Sequence, residues 1–277
     1  DAENGEALIG ATVIIRELST GVTSNVYGFY SITLLEGAYE IEFSYIGYTS
    51  QKEQINLIDN IKLDVELVPN SQQLDEVVIS AEAEDSNITS LEMSTNKLDI
   101  ETIKKIPAFL GEVDLLKGIQ LLPGVSTVGE GASGFNVRGG GVGQNLLLLD
   151  EAPVYNSSHL FGFFSVFNPD AVKDTKLYKG AIPAQFGGRI SSLLDVRMKE
   201  GNNKKLSANG GIGTVFSRLA IEGPIKKDKS SFIVAGRRSY IDVLAKPFSE
   251  ELKDVGLHFY DLTLKANYNF NPNNQLY

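Results

Sequence analysis

Five stretches of this chain hold residue types that can do chemistry. Residues 129–134 read GEGASG and fit the G-x-G-x-x-G spacing with which a dinucleotide loop lets its backbone approach a pyrophosphate. Asp150 and Glu151 form an adjacent carboxylate pair, the raw material of general acid and base work. Ser157, Ser158 and His159 put hydroxyls beside an imidazole. Arg138 precedes Gly139, Gly140 and Gly141, and Arg189 follows Gly187 and Gly188, so two guanidiniums stand beside backbone that carries no side chain.

Each catalytic reading fails on its surroundings. A dinucleotide loop must follow a strand and open a helix, but GEGASG follows the loop PGVSTV and runs into FNVRGGG, which cannot be a helix. No Gly-Lys-Ser/Thr follows, which removes the P-loop. Adjacent strand residues point to opposite faces, so Asp150 and Glu151 are not expected to converge on one bond. The serines lack a G-x-S-x-G elbow. Without cysteine there is no thiolate nucleophile, disulfide framework or Cys-ligated zinc, and two histidines, His159 and His258, make a poor start for a metal site. The chain reads as a non-enzyme with no cofactor and no metal.

Length and charge bound the partners. With 277 residues the chain is expected to hold two or more domains, and 42% hydrophobic with 22% charged residues is a foldable composition. The net charge of −10 is uneven: residues 1–69 carry 11 acids against 3 bases, whereas residues 206–277 carry 7 against 9. An acidic front and a near-neutral rear argue against nucleic acid as a partner. No apolar run reaches the roughly 18 residues of a spanning helix, a test that strands escape. Asp1 reads as an internal start and NNQLY as an abrupt stop, so the chain is expected to be a fragment.

The elements that must position these residues divide into four parts. Residues 1–69 alternate like half-buried strands, most cleanly Tyr39, Ile41, Phe43 and Tyr45 against Glu40, Glu42 and Ser44, with turns expected at Thr20-Gly21, Tyr27-Gly28, Glu36-Gly37 and Ile46-Gly47 and a last strand over 61–68. This predicts a small β-sandwich. Residues 70–84 form a polar, acidic linker around the β-prone triplet Val77-Val78-Ile79, an unpaired strand that can template another chain.

From Thr95 to Val125 the period turns helical, with Ile100, Ile103 and Ile106 on one short helix and Val113, Leu116 and Ile119 on another, separated by Pro107 and stopped at Pro123-Gly124. Strands are expected at Leu146–Leu149 and Leu193–Val196, with aromatic-rich loops between them. In the rear third, Tyr260, Leu262, Leu264, Ala266, Tyr268 and Phe270 alternate with Asp261, Thr263, Lys265, Asn267 and Asn269. A half-buried strand of a soluble sandwich and a membrane-barrel strand, apolar to lipid and polar to the lumen, both satisfy that pattern. The short turns at 223–229 and 271–274 and the longer loop over 245–257 fit the barrel reading. The slip near Gly213-Thr214 divides 206–222 into two strands, which makes four strands and the start of a fifth, too few to close a barrel.

That order resembles the TonB-dependent outer-membrane receptors of the Bacteroidota. LDEVVIS at 74–80 resembles a TonB box, LLPGVSTVGEGASGFNVRGGGVGQNLLLLDEAPVY the core of the plug domain, and KLYKGAIPAQFGGRISSLLDVRMKEG at 176–201 the plug's end and its passage into the barrel. Residues 1–69 resemble the carboxypeptidase-regulatory-like domain that precedes the box in many such receptors. The resemblance implies a mainly β fold with an α/β plug. It would comprise the sandwich over 1–69, a linker with the box over 70–84, the plug over 85–203, and over 204–277 the first strands of a barrel of about 22.

The resemblance further implies TonB-dependent import of a bulky ligand from outside an outer membrane, with the N-terminal domain in the periplasm. TonB, with its inner-membrane energising complex, would pair with Asp75, Glu76, Val77, Val78, Ile79 and Ser80. Arg138, Gly139, Gly140 and Arg189 are expected to anchor the plug to acidic groups of the wall, and Tyr155, Asn156, His159 and Phe161 to lie on ligand-facing loops, with DEAPVY (150–155) turning toward them. Outer-membrane lipid is an implied partner. A surface lipoprotein lid is a further one left open, because the box and plug lack the longer signature of the starch-utilisation importers. A scaffold or signalling subunit on the same fold and a secreted β-sandwich adhesin remain alternatives.

Overall fold

The computed structural model describes residues 1–18, 20–70, 95–106, 113–129, 131–159, 162–213, 215–240, 258–271 and 274–277. The N-terminal part is one antiparallel sheet of order β2-β1-β3-β4, built from β1 (Thr12–Ile15), β2 (Thr20–Thr23), β3 (Gly37–Ser44) and β4 (Gln51–Leu57). Its alternation works as in any water-soluble sheet: Val13, Ile15, Ile41 and Phe43 face inward and form the core with Leu67. Two readings need correction. Thr20-Gly21 is no turn, because Gly21 sits inside β2 opposite Ile14. Residues 61–68 form no ladder strand; their alternating side chains Leu63, Val65 and Leu67 pack on the core, and the Tyr30 hydroxyl donates to Leu63 O at 2.6 Å. The second layer of the sandwich is thus extended chain held by side-chain burial.

The middle part is organised on a five-stranded sheet of order β5-β12-β13-β8-β9: β5 (Thr95–Asp99), β8 (Asn145–Leu149), β9 (Ala152–Pro153), β12 (Val172–Tyr178) and β13 (Ser192–Met198). All pairs are antiparallel except β13 with β8. Two short helices, α1 (Ile100–Lys104) and α2 (Leu115–Gln120), lay Ile100, Ile103, Leu115, Leu116 and Ile119 against Leu147, Leu177, Leu194 and Val196. Helical spacing therefore located the apolar faces correctly, but began too early: Thr95–Asp99 extends as an edge strand because β12 supplies its hydrogen bonds. Pro107 lies outside the described residues.

Residues 204–277 contribute an antiparallel meander of order β14-β15-β16-β17-β18: β14 (Ser207–Ile212), β15 (Phe216–Lys226), β16 (Ser230–Ser239), β17 (Tyr260–Asn271) and β18 (Asn274–Leu276). The divide between β14 and β15 falls at Gly213-Thr214-Val215. Here the alternation is inverted. One face carries apolar rows, Gly210-Leu219-Gly236-Leu262 and Ala208-Ile221-Val234-Leu264. Leu264 is 67% exposed, whereas Asn267 on the opposite face is only 6% exposed. The inner face turns toward the middle domain and mixes polar groups, as in the row Arg218-Arg237-Asp261 and in Ser231 and Asn267, with buried Ala220, Ile233 and Ala235. The meander is an open piece of barrel wall with the middle domain against its concave side.

Candidate functional site: the seam between plug and wall

The Gly-rich loop that opened the chemical question is assembled by α2. Asp114 caps that helix, its Oδ1 accepting from the Leu116 N–H at 2.8 Å and the Lys117 N–H at 3.2 Å, which satisfies orphan donors of the first turn. From α2, Lys117 Nζ donates to Gly131 O, and Gln120 Nε2 donates to Ala132 O at 2.7 Å and Gly134 O at 2.9 Å. Burial pushes the Lys117 ammonium below its ordinary pKa. A phosphate cradle aims N–H groups at its anion; these three contacts are carbonyls receiving donors from the helix. The loop is structural.

Arg138 and Gly139 follow β7 (Phe135–Val137) at the open end of its hairpin with β6 (Val125–Thr127), where the Arg138 N–H donates to Gly124 O at 2.9 Å. Gly140 is needed because a Cβ there would come within 2.2 Å of Ser191 Oγ. The Arg138 guanidinium lies by Gly180, and Arg189 is exposed.

The carboxylate pair is not on a strand. Asp150 and Glu151 take φ of 45° and 71° and form the two-residue turn joining β8 to β9, so their side chains diverge for a different reason from the one expected. Asp150 accepts the Met198 N–H at 2.9 Å and pairs with Lys265 of β17 at 2.9 Å; Glu151 pairs with Arg197 at 3.1 Å. Beside them, burial holds the Asp195 carboxyl above the usual carboxylate range despite the attraction of Arg197. After the turn the chain pairs back on β8 through Ala152–Pro153 and then runs through exposed Tyr155 and Asn156 to the residues that meet the wall.

Those residues build the seam. β10 (Ser158–His159) and β11 (Phe164–Ser165) form a small antiparallel pair whose own residues meet the wall. Arg237, whose side chain is 1% exposed, donates to Ser165 O at 2.7 Å and to Asp261 Oδ2 at 2.6 Å. His159 Nε2 lies 3.2 Å from the same Asp261 oxygen, and its ring stacks on Phe259 at 4.5 Å. Phe164 meets Phe216 edge-on at 4.7 Å, and Arg218 of β15 reaches Asp170 at 3.5 Å. Lower down, Glu200 O accepts both Ser231 Oγ and Asn267 Nδ2 at 2.8 Å. A buried ion pair of this kind needs each partner, since removing one strands a charge at a cost of about 3–5 kcal/mol.

Of the residues expected on ligand-facing loops, Tyr155 and Asn156 are exposed, whereas His159 is a wall contact: stacking on Phe259 and the charge of Asp261 hold it against the barrel. Phe161 and the stretch Asp75, Glu76, Val77, Val78, Ile79 and Ser80 lie outside the described residues. Arg237 and Asp261 were missed in sequence. Their signal was a basic and an acidic residue on the polar phase of long alternating strands, legible only once register sets them side by side.

The profile of the CarboxypepD_reg-like domain matches residues 1–79, and that of the TonB-dependent Receptor Plug Domain matches residues 87–192. TonB-dependent receptor P39 of Formosa agariphila is 27% identical over 146 residues, covering 47% of this chain and 14% of that protein. Among solved structures, the siderophore receptor PirA of Pseudomonas aeruginosa is similar at a TM-score of 0.46 with 19% identity, covering 66% of this chain and 32% of that one. The siderophore receptor PirA of Acinetobacter baumannii gives 0.45 and 17%, covering 65% and 30%. The chain thus spans 14% of the curated relative's length and about a third of these solved receptors. The chain carries, in order, a CarboxypepD_reg-like domain and a TonB-dependent receptor plug domain followed by the open meander, and is similar to TonB-dependent receptors.

Proposed function

We propose that the whole receptor imports a bulky ligand across the outer membrane and that TonB drives it by adding a strand to residues 75–80. The observation that carries this reading is the inverted alternation of β14 to β17: apolar rows face out while polar rows are covered by the plug, the pattern of a barrel wall in lipid around a filled lumen. The β15–β16 and β17–β18 turns share an end with the N-terminal domain, and short turns belong on the periplasmic side. On that reading the N-terminal domain is periplasmic. Exposed Tyr155 and Asn156 are the described residues we assign to ligand contact, and we assign plug anchoring to the Arg237–Asp261–His159 and Asp150–Lys265 contacts together with Arg138, Gly139, Gly140 and Arg189.

Strand addition draws its affinity from main-chain hydrogen bonds, so removing the segment is a sharper test than changing one side chain. Deleting Asp75 to Ser80 from the full-length receptor is expected to abolish its capture by the purified periplasmic domain of TonB while the barrel still assembles. Undiminished capture, or undiminished TonB-dependent uptake in cells, sinks the reading.

A further inference from the structure

The plug–wall seam does not account for a second set of contacts, which ties residues 2–9 of the N-terminal domain to the underside of the plug. Glu6 is 8% exposed, and its Oε1 accepts the N–H groups of Glu200 at 2.6 Å and Gly201 at 3.2 Å. Its Oε2 pairs with Lys173 of β12 at 3.4 Å. Lys173 also donates to Ala7 O at 2.5 Å, and Lys97 of β5 donates to Ile9 O at 2.7 Å. The Asn203 N–H donates to Asn4 O at 3.0 Å, while Asn203 O accepts the Asp228 N–H at 3.0 Å, so the domain, the plug–barrel junction and the β15–β16 turn are joined by main chain. Lys204 reaches Ala2 O at 2.9 Å and Glu66 at 3.1 Å.

Three physical points distinguish this from incidental contact. A carboxylate leaves water only where charged or N–H donors replace its hydration, and Glu6 has two amides and an ammonium. The junction permits no side chain where the domain and wall press on it: a Cβ at Gly201 would come within 2.3 Å of Phe232 O, and Gly201 holds φ of 86°. Finally, the contacts fall on β12 and on β5, and β5 is the sheet's edge, paired on one side only and the first described element after the linker. Peeling of the plug sheet from that edge must pass the docked domain.

We propose that the N-terminal domain is a latch: docked through Glu6 beneath the plug, it holds β5 against β12, and its release frees that edge to open. The latch is a property of the resting receptor and goes beyond the transport reading, so either can fail alone.

The test uses the full-length receptor, with barrel assembly of every variant checked by heat-modifiable gel mobility. Residues 1–277 contain no cysteine, so Asn4→Cys with Asn203→Cys introduces the only two thiols in this part of the chain. Their disulfide is expected to form readily and to drop roughly ten-fold in yield when Glu6→Lys is added, whereas Glu6→Gln, which keeps an oxygen to accept the Glu200 and Gly201 N–H groups, is expected to retain most of it. In the receptor without introduced cysteines, Glu6→Lys is expected to speed amide exchange of β5 and its partners on β12 by roughly ten-fold, and Glu6→Gln much less. A disulfide yield indifferent to Glu6→Lys overturns the docking. A lost disulfide with unchanged exchange in β5 overturns the latch.

Discussion

The N-terminal sheet and the wall strands β14 to β17 use the same alternation in opposite senses. In β3 the apolar phase is inside, with Phe43 4% exposed and Glu40 and Glu42 toward solvent and pairing with Lys52 and Arg16. In β17 the apolar phase is outside and the polar phase is buried against the plug. Period two divides a strand into two faces and says nothing about which one water touches. The partner decides: β3 packs on extended chain rich in Tyr, Leu and Val, whereas β17 packs on a plug that presents Asp150, His159, Ser165 and Glu200 O.

The largest expected break in this contrast is on the buried polar face. Asp261→Ala leaves Arg237 without its carboxylate inside the seam and is expected to cost about 3–5 kcal/mol, read as a fall in the denaturation midpoint of the folded receptor in detergent. Asp261→Ala with Arg237→Met is expected to recover most of that loss; an unshifted midpoint in the single variant removes the ion pair from the account.

Next comes the outer face. Leu264→Arg is expected to cost about 2–4 kcal/mol in a bilayer, measured as folding equilibrium into lipid vesicles, where a face bathed in water would bear the change at almost no cost. A neutral result would make β17 an ordinary solvated strand and close the contrast.

The smallest effect belongs to the N-terminal sheet. The bond from Arg16 holds the Glu42 carboxyl below the usual carboxylate range, so the folded-state pKa is depressed. The pair's stabilisation is then present above the ordinary carboxylate pKa and lost as pH falls through the depressed value. Exchange at β1 and β3 amides should rise slightly across that acid window, and Glu42→Gln should flatten the change.

Much of the molecule was legible because local periodicity is a local property. Ile100, Ile103, Leu116 and Ile119 marked helix faces, Leu146 to Leu149 a buried strand, and residues 260–270 a strand of the length found. Misreadings arose where a distant partner overrode local signals. Thr95–Asp99 extends because β12 is there to pair with it, and residues 61–68 form no ladder: the core takes their side chains, while Leu67 O and Val68 O accept single main-chain bonds from Ala2 and Thr49. Asp150 and Glu151 turn where two strands must reverse, although neither is a glycine.

The sequence by itself determined the order of the parts, the two-faced character of each long strand, and the absence of any thiol or dinucleotide chemistry, since composition and spacing carry those. Which face is covered, which charges meet across the seam, and the docking of Glu6 under the plug were decided only by the tertiary structure. They depend on register and on contacts between residues tens to hundreds of positions apart, and no window along the chain contains both partners.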